Sequence, residues 1–357
     1  MAITANQVTI ARILLLPVPT GLVLWGHPAG LIAALFIGTA IGATDALDGY
    51  LARRDGPTTL GALLDPTADK LFMAAMLLAI GYREGYCPPW IIAGILCREF
   101  LITGLRTSMA VREASIKTSL LGKLKTVVQM GGLLVFFFTA AVITDAGATI
   151  VVLSENGVSI LHGVGSVGCM VTVGLFYLVK KRWLPFWLVG IGPIWFMLFL
   201  ISLAFERHEA VFAIFLAMLV ITWLSGGAYI RGAWAKLRET GWTQPDRAIV
   251  FWAVFTPLPS LLVQQSQWIL IPILLSIAAE LCTSGIDNIA AAENKRRAGA
   301  LQYFIPGLLG LTLVSVAFSP FATPMLVTIL AWLQTLVSVA ILFRAYSREK
   351  GVFANES

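Results

Sequence analysis

Apolar residues fill this chain in long runs, and polar residues collect in the short gaps between them. A helix rises 1.5 Å per residue, so a run of about 18 to 25 residues crosses a bilayer core of roughly 30 Å. The pattern predicts about twelve such spans. They centre near 8–25, 29–51, 60–82, 87–109, 119–143, 158–180, 183–205, 209–231, 247–264, 268–291, 300–319 and 321–344. The fold class that follows is all-α, a polytopic transmembrane helical bundle. No basic region precedes the first apolar run and no small-residue cleavage motif closes it. The N-terminal run therefore reads as a first span and not as a cleaved signal.

Composition agrees with the pattern. The 357 residues are 58% hydrophobic and 12% charged, with a mean hydropathy of +0.85, which excludes a large water-soluble core. A net charge of +6 would suggest nucleic acid, but the distribution of the basic residues argues against it. Most of the 25 Lys and Arg fall in alternate connections: Arg53–Arg54, Arg112 to Lys125, Lys180–Arg182, Arg231 to Arg247, Lys295–Arg297 and Arg344 to Lys350. The opposite connections hold Arg83 and Arg207 beside acidic residues. The positive-inside rule then puts both termini on the cytoplasmic side of a multi-pass protein of the cell (inner) membrane. The basic excess is a topology signal with some attraction to anionic membrane lipids, and it implies no nucleic-acid partner. The four cysteines (87, 97, 169 and 282) lack CxxC spacing and read as small packing residues.

One stretch breaks the apolar pattern: Asp45-Ala-Leu-Asp48-Gly49-Tyr-Leu-Ala52-Arg53, followed by Gly61-Ala-Leu-Leu-Asp65-Pro-Thr-Ala-Asp69. On a helix, Asp45, Asp48, Gly49 and Ala52 share about a third of the circumference. On the next, Gly61, Asp65 and Asp69 stack at i, i+4 and i+8. Carboxylates beside apolar helix faces are costly unless a cation lies between them. Hard oxygen donors from two helices suit Mg²⁺, Mn²⁺ or Ca²⁺ better than zinc. The small residues leave room for a bulky phosphate-bearing ligand.

These residues resemble the signature of the CDP-alcohol phosphatidyltransferase family, with four aspartates, two glycines and an Ala-Arg pair, and seven residues between Arg53 and Gly61. Asn6-Gln-Val-Thr9-Ile-Ala-Arg12 looks like the family's amphipathic entry; the plain alternative is that Thr9 caps a helix and Arg12 snorkels to headgroups. Arg98 to Arg106 and Leu121 to Met130 resemble segments of the family's phosphatidylglycerophosphate synthase branch. The resemblance implies transfer of the phosphatidyl group of CDP-diacylglycerol to glycerol-3-phosphate, releasing CMP. It assigns Asp45, Asp48, Asp65 and Asp69 to two divalent ions (Mg²⁺ or Mn²⁺), with Asp69 as general base. It gives Gly49, Ala52 and Gly61 to the CDP moiety and Arg53 to a phosphate. Arg106, Lys123 and Lys125 are the cations expected near a phosphorylated acceptor, although two lysines two apart on a helix do not face the same way. A cytoplasmic active site and a homodimer are also implied.

Beyond residue 144 the chain departs from a six-helix core. Residues 209–231 are read as the sixth helix, which makes about 145–208 a helical-hairpin insertion within a domain of residues 1–240; the alternative sixth helix is 158–180. Residues 244–350 then read as a degenerate second copy. Phe255-Thr-Pro257-Leu-Pro259 echoes Leu15-Leu-Pro17-Val-Pro19, and Asp287, Gly299, Tyr303 and Gly307 stand in for Asp48, Gly61, Asp65 and Asp69. With one carboxylate, this copy is expected to be chemically inactive. Two alternatives stay open from sequence: another acceptor, such as inositol phosphate or serine, and an ion-coupled transporter built on the same intramembrane carboxylates.

Overall fold

The computed structural model describes residues 4–56, 58–83, 87–114, 129, 132–133, 136, 207–294 and 298–354. Among them the chain is helical throughout, with no strand. The first five helices are α1 (Ala5–Leu15), α2 (Pro17–Trp25), α3 (Pro28–Asp55), α4 (Thr59–Tyr82) and α5 (Pro89–Ala110). Then come α6 (Arg207–Thr240), α7 (Gln244–Phe255), a 3₁₀ turn η1 (Leu258–Leu262), α8 (Gln267–Asn294), α9 (Ala300–Ala317) and α10 (Pro324–Ala354). Among the described residues, five segments are long and apolar enough to cross a membrane: Ala5–Trp25, Val211–Thr240, Trp268–Glu293, Ala300–Ala317 and Pro324–Lys350. The expected spans at 158–180 and 183–205 lie outside the described residues, as does most of 119–143. The expected span at 247–264 is not one helix. α7 stops at Phe255, and η1 follows Pro257, because a proline lacks the amide hydrogen and biases the residue before it away from helix.

Helix α4 is the centre of the molecule. Its first turns carry Asp65, Asp69 and Lys70, and every residue from Leu71 to Gly81 is buried. A helix that is apolar all round has to be enclosed on all sides, and α1, α2, α5 and α8 supply that enclosure. Thr58 starts α4 by accepting the Gly61 amide at 2.9 Å. Pro66 lies inside α4, which continues through it to Tyr82.

The second half runs through the same order of elements as the first. A short helix and a proline break lead to a second short helix, then three long ones; α3 and α8 are each 28 residues. α1 and α2 pack on α4, and α7 and η1 pack on α9. The two halves meet where α8 lies against α4 and α5, and where α7 and η1 lie against α5. Arg112, just past α5, closes that joint. It donates from Nη1 to Asp246 Oδ1 at 3.1 Å and from Nη2 to Oδ2 at 2.7 Å. Further bonds reach the Ser108 and Gly241 carbonyls and Thr240 Oγ1. The fully buried Asp246 also caps α7 through the Thr243 amide, so one carboxylate serves both purposes.

Candidate active site

Three side chains of α1 line up along three positions of α4. Asn6 Oδ1 accepts from Thr58 Oγ1 at 3.0 Å, and a Cβ added at Gly61 would lie 3.0 Å from both atoms. Thr9 Oγ1 donates to Asp65 Oδ1 at 3.0 Å. Arg12 Nη1 donates to Asp69 Oδ1 at 2.9 Å. Steps of three along α1 meet steps of four along α4, which is the register of two parallel helices packed side by side. The helix cap is Thr4, in a capping box with Gln7, and Thr9 lies inside the helix. Arg12 does not reach outward either: its side chain is 3% exposed, against 54% for Asp69. The capping and snorkelling alternative therefore does not hold; both residues face the carboxylate stripe.

Asp45, Asp48, Gly49, Ala52 and Arg53 all fall on the last turns of α3, which ends at Asp55. Gly56 follows with φ +95°, a conformation that favours glycine, and α4 begins at Thr59. The short link makes the two carboxylate-bearing helices sequence neighbours. Lys123 and Lys125 lie outside the described residues.

The cations of α5 separate in role. Arg98 is buried and bonded to Glu99 Oε1 and Ser225 Oγ, each at 3.0 Å. A buried guanidinium held by a carboxylate and a hydroxyl of another helix is a packing element joining α5 to α6. Arg106 is exposed, and among the described residues it makes no hydrogen bond. Sequence reasoning passed over Lys70, whose Nζ donates to Thr103 Oγ1 and ties the carboxylate end of α4 to α5. Its signal was a lone cation beside Asp69 in an otherwise apolar run.

In the second half the contacts of Asp287, Tyr303 and Gly307 are of another kind. Asp287 is fully buried and accepts from Tyr303 Oη, Gln302 Nε2 and Arg348 Nη2, each at 2.7 Å. A Cβ at Gly307 would lie 2.8 Å from Phe251 Cδ1 and 3.3 Å from Trp252 Cα. Aromatic side chains of α7 therefore pack against α9 at Gly307.

Comparison with known proteins decides what this geometry belongs to. The sequence profile of the CDP-alcohol phosphatidyltransferase family matches residues 2–161. A Bacillus subtilis (strain 168) protein named CDP-diacylglycerol–glycerol-3-phosphate 3-phosphatidyltransferase is 34% identical over 138 residues, 35% of this chain and 71% of that protein. This chain belongs to the CDP-alcohol phosphatidyltransferase family. Proteins of the same name from Rickettsia typhi and Yersinia pestis (strain Pestoides F) are 35% and 43% identical over 160 and 107 residues. Those matches cover 44% and 28% of this chain, and 85% and 57% of the relatives. No solved structure matches the chain. The profile of the CDP-alcohol phosphatidyltransferases takes in α1 through α5, and so the whole set of contacts between α1 and α4.

Proposed function

We propose that this membrane enzyme transfers the phosphatidyl group of CDP-diacylglycerol to glycerol-3-phosphate, releasing CMP and leaving phosphatidylglycerophosphate in the membrane. The observation that carries the reading is the alignment of Asn6, Thr9 and Arg12 with Gly61, Asp65 and Asp69, within the region shared with relatives that bear this activity's name. Asp45, Asp48, Asp65 and Asp69 are the residues that would hold two divalent ions, Mg²⁺ or Mn²⁺. The donor chemistry fits: the four are hard carboxylates, and Asp69 keeps more than half of its side chain exposed while Arg12 engages one oxygen. Such ions would supply positive charge beside the pyrophosphate and the departing CMP.

The chain's own residues do the rest. The acceptor hydroxyl forms its bond to the β-phosphorus as the bond to CMP breaks, and the hydroxyl proton passes to Asp69. Thr9 and Arg12 fix the direction of the Asp65 and Asp69 carboxylates, so little reorganisation is needed as the reaction proceeds. Gly49, Ala52 and Gly61 admit the CDP moiety and Arg53 meets a phosphate. Arg106, exposed at one end of α5, and Lys123 and Lys125 select an acceptor that carries its own phosphate.

The catalytic domain is residues 1–240, with a helical hairpin inserted at about 145–208. Packing of Gln129 on Thr222 and of Phe136 on Phe215 supports α6 as its sixth helix. Residues 244–350 are an inactive second copy, supported by the shared order of elements. The chain is a multi-pass protein of the cell (inner) membrane, with both termini and the site cytoplasmic. The test is CMP release by purified protein offered CDP-diacylglycerol, a divalent ion and a panel of alcohols: glycerol-3-phosphate should be consumed, and glycerol, serine and inositol should not. Preference for another alcohol would move the acceptor assignment.

A further inference from the structure

Helix α4 is held on two sides. α1 takes the stripe of Gly61, Asp65 and Asp69. Leu63 and Thr67 each precede an aspartate by two residues, which turns them about 200° away, onto the far side of the helix. There α8 of the second half crosses α4 at Gly285. A Cβ at Gly285 would collide with Leu63 Cδ1 and lie 3.3 Å from Thr67 Oγ1. Thr67 itself is buried and bonded to the Leu63 carbonyl, so this side of α4 has little room to move.

Two further contacts keep α8 from drifting. Asn288, three residues after Gly285 and so on the same face, accepts from Thr107 Oγ1 of α5 at 2.7 Å. The Arg112–Asp246 joint holds α7 to the end of α5. α8 is therefore a wall set by α5, with glycine at the point of closest approach to the carboxylate-bearing helix.

We propose that Gly285 is a positioning residue for the transfer reaction: the closeness of α8 at this point sets the lateral placement of α4, and with it the distance of Asp65 and Asp69 from the carboxylates of α3. The second half, which supplies no metal ligand, acts on the chemistry through this contact. The inference rests on the assignment of those aspartates to the metal ions.

The test uses the full chain in detergent or nanodiscs, with Gly285→Val, Gly285→Ala and Gly285→Ala combined with Leu63→Ala. Mn²⁺ binding is followed by electron paramagnetic resonance, CMP release by kinetics, and assembly by melting and size exclusion. Displacing a supporting contact typically weakens metal affinity and turnover on the order of tenfold. Gly285→Val should therefore weaken Mn²⁺ binding and lower kcat by about that factor. The KM for glycerol-3-phosphate should stay within about twofold, because the acceptor cations lie elsewhere. Gly285→Ala should show the same pattern at about two- to fourfold, since the Leu63 methyl can partly yield, and should keep the protein folded if the valine variant does not. Leu63→Ala should bring Gly285→Ala back towards wild type in both readouts. Unchanged Mn²⁺ affinity in a folded Gly285→Ala protein would overturn the proposal, and so would a loss that Leu63→Ala leaves in place. Absence of CMP release from the wild type would instead remove the functional assignment itself.

Discussion

Thr9 and Arg12 each engage a carboxylate of α4, but the two contacts differ in weight. Thr9 forms a neutral-to-charged hydrogen bond, and Arg12 places a buried guanidinium on a carboxylate that is half open to its surroundings. Thr9→Val keeps the shape and should cost about 1 to 2 kcal/mol of stability, read from thermal melting. Arg12→Ala leaves Asp69 exposed, not stranded, so the fold should survive while CMP release falls by about 10- to 100-fold. Arg12→Lys should recover only part of that loss, because an ammonium does not reproduce the directional fork. Equal activity of Arg12→Ala and wild type would show that the pair has no bearing on the reaction. The spacing of Asn6, Thr9 and Arg12 was legible in sequence, but their targets were not. The targets lie more than fifty residues away, and only packing of α1 on α4 selects them over a cap or a headgroup.

At the scale of elements, apolar length and proline position carried most of the information. Residues 60–82 read as a membrane span, and the structure forms α4 there with Leu71 to Gly81 enclosed by neighbouring helices. The expected helix over 247–264 failed at Pro257 and Pro259, where apolar continuity concealed a break in the hydrogen-bond ladder. The sequence offers Tyr303 as a stand-in for Asp65 in the expected second copy, but not what its side chain does: its hydroxyl helps to satisfy a buried Asp287. Tyr303→Phe removes that donor from a carboxylate with no access to water, and should lower stability by about 1 to 3 kcal/mol. Turnover per folded molecule should stay at the wild-type level. A well-folded Tyr303→Phe protein without CMP release would contradict the inactive-copy reading.

At the scale of the whole molecule, the two halves are joined at α5 by α7, η1 and α8, so residues 244–350 pack against the half that the family profile matches. Arg112→Ala would leave the buried Asp246 carboxylate without its cation, and should cost about 3 to 5 kcal/mol, seen as a large drop in melting temperature. No pattern in the sequence pairs Arg112 with Asp246, because their meeting depends on the turn at Gly241 and the start of α7. Charge distribution, in contrast, sets the expected topology directly. In a cysteine-free background, Gly56→Cys should resist labelling from outside intact cells and Ile150→Cys should accept it; the reverse would overturn the orientation.

In the proposed reaction, carboxylates on α3 and α4 support divalent-ion-dependent transfer from CDP-diacylglycerol to glycerol-3-phosphate. Its most direct test is CMP release by the purified full chain, comparing wild type with Asp65→Asn in the presence and absence of Mg²⁺. Asparagine keeps the size of Asp65 and its bond from Thr9 while removing the charge. Wild type should release CMP only with glycerol-3-phosphate and Mg²⁺ together, and a folded Asp65→Asn protein should lose about a thousandfold or more. Turnover by wild type in chelator, or undiminished turnover by Asp65→Asn, would contradict this role of the carboxylates.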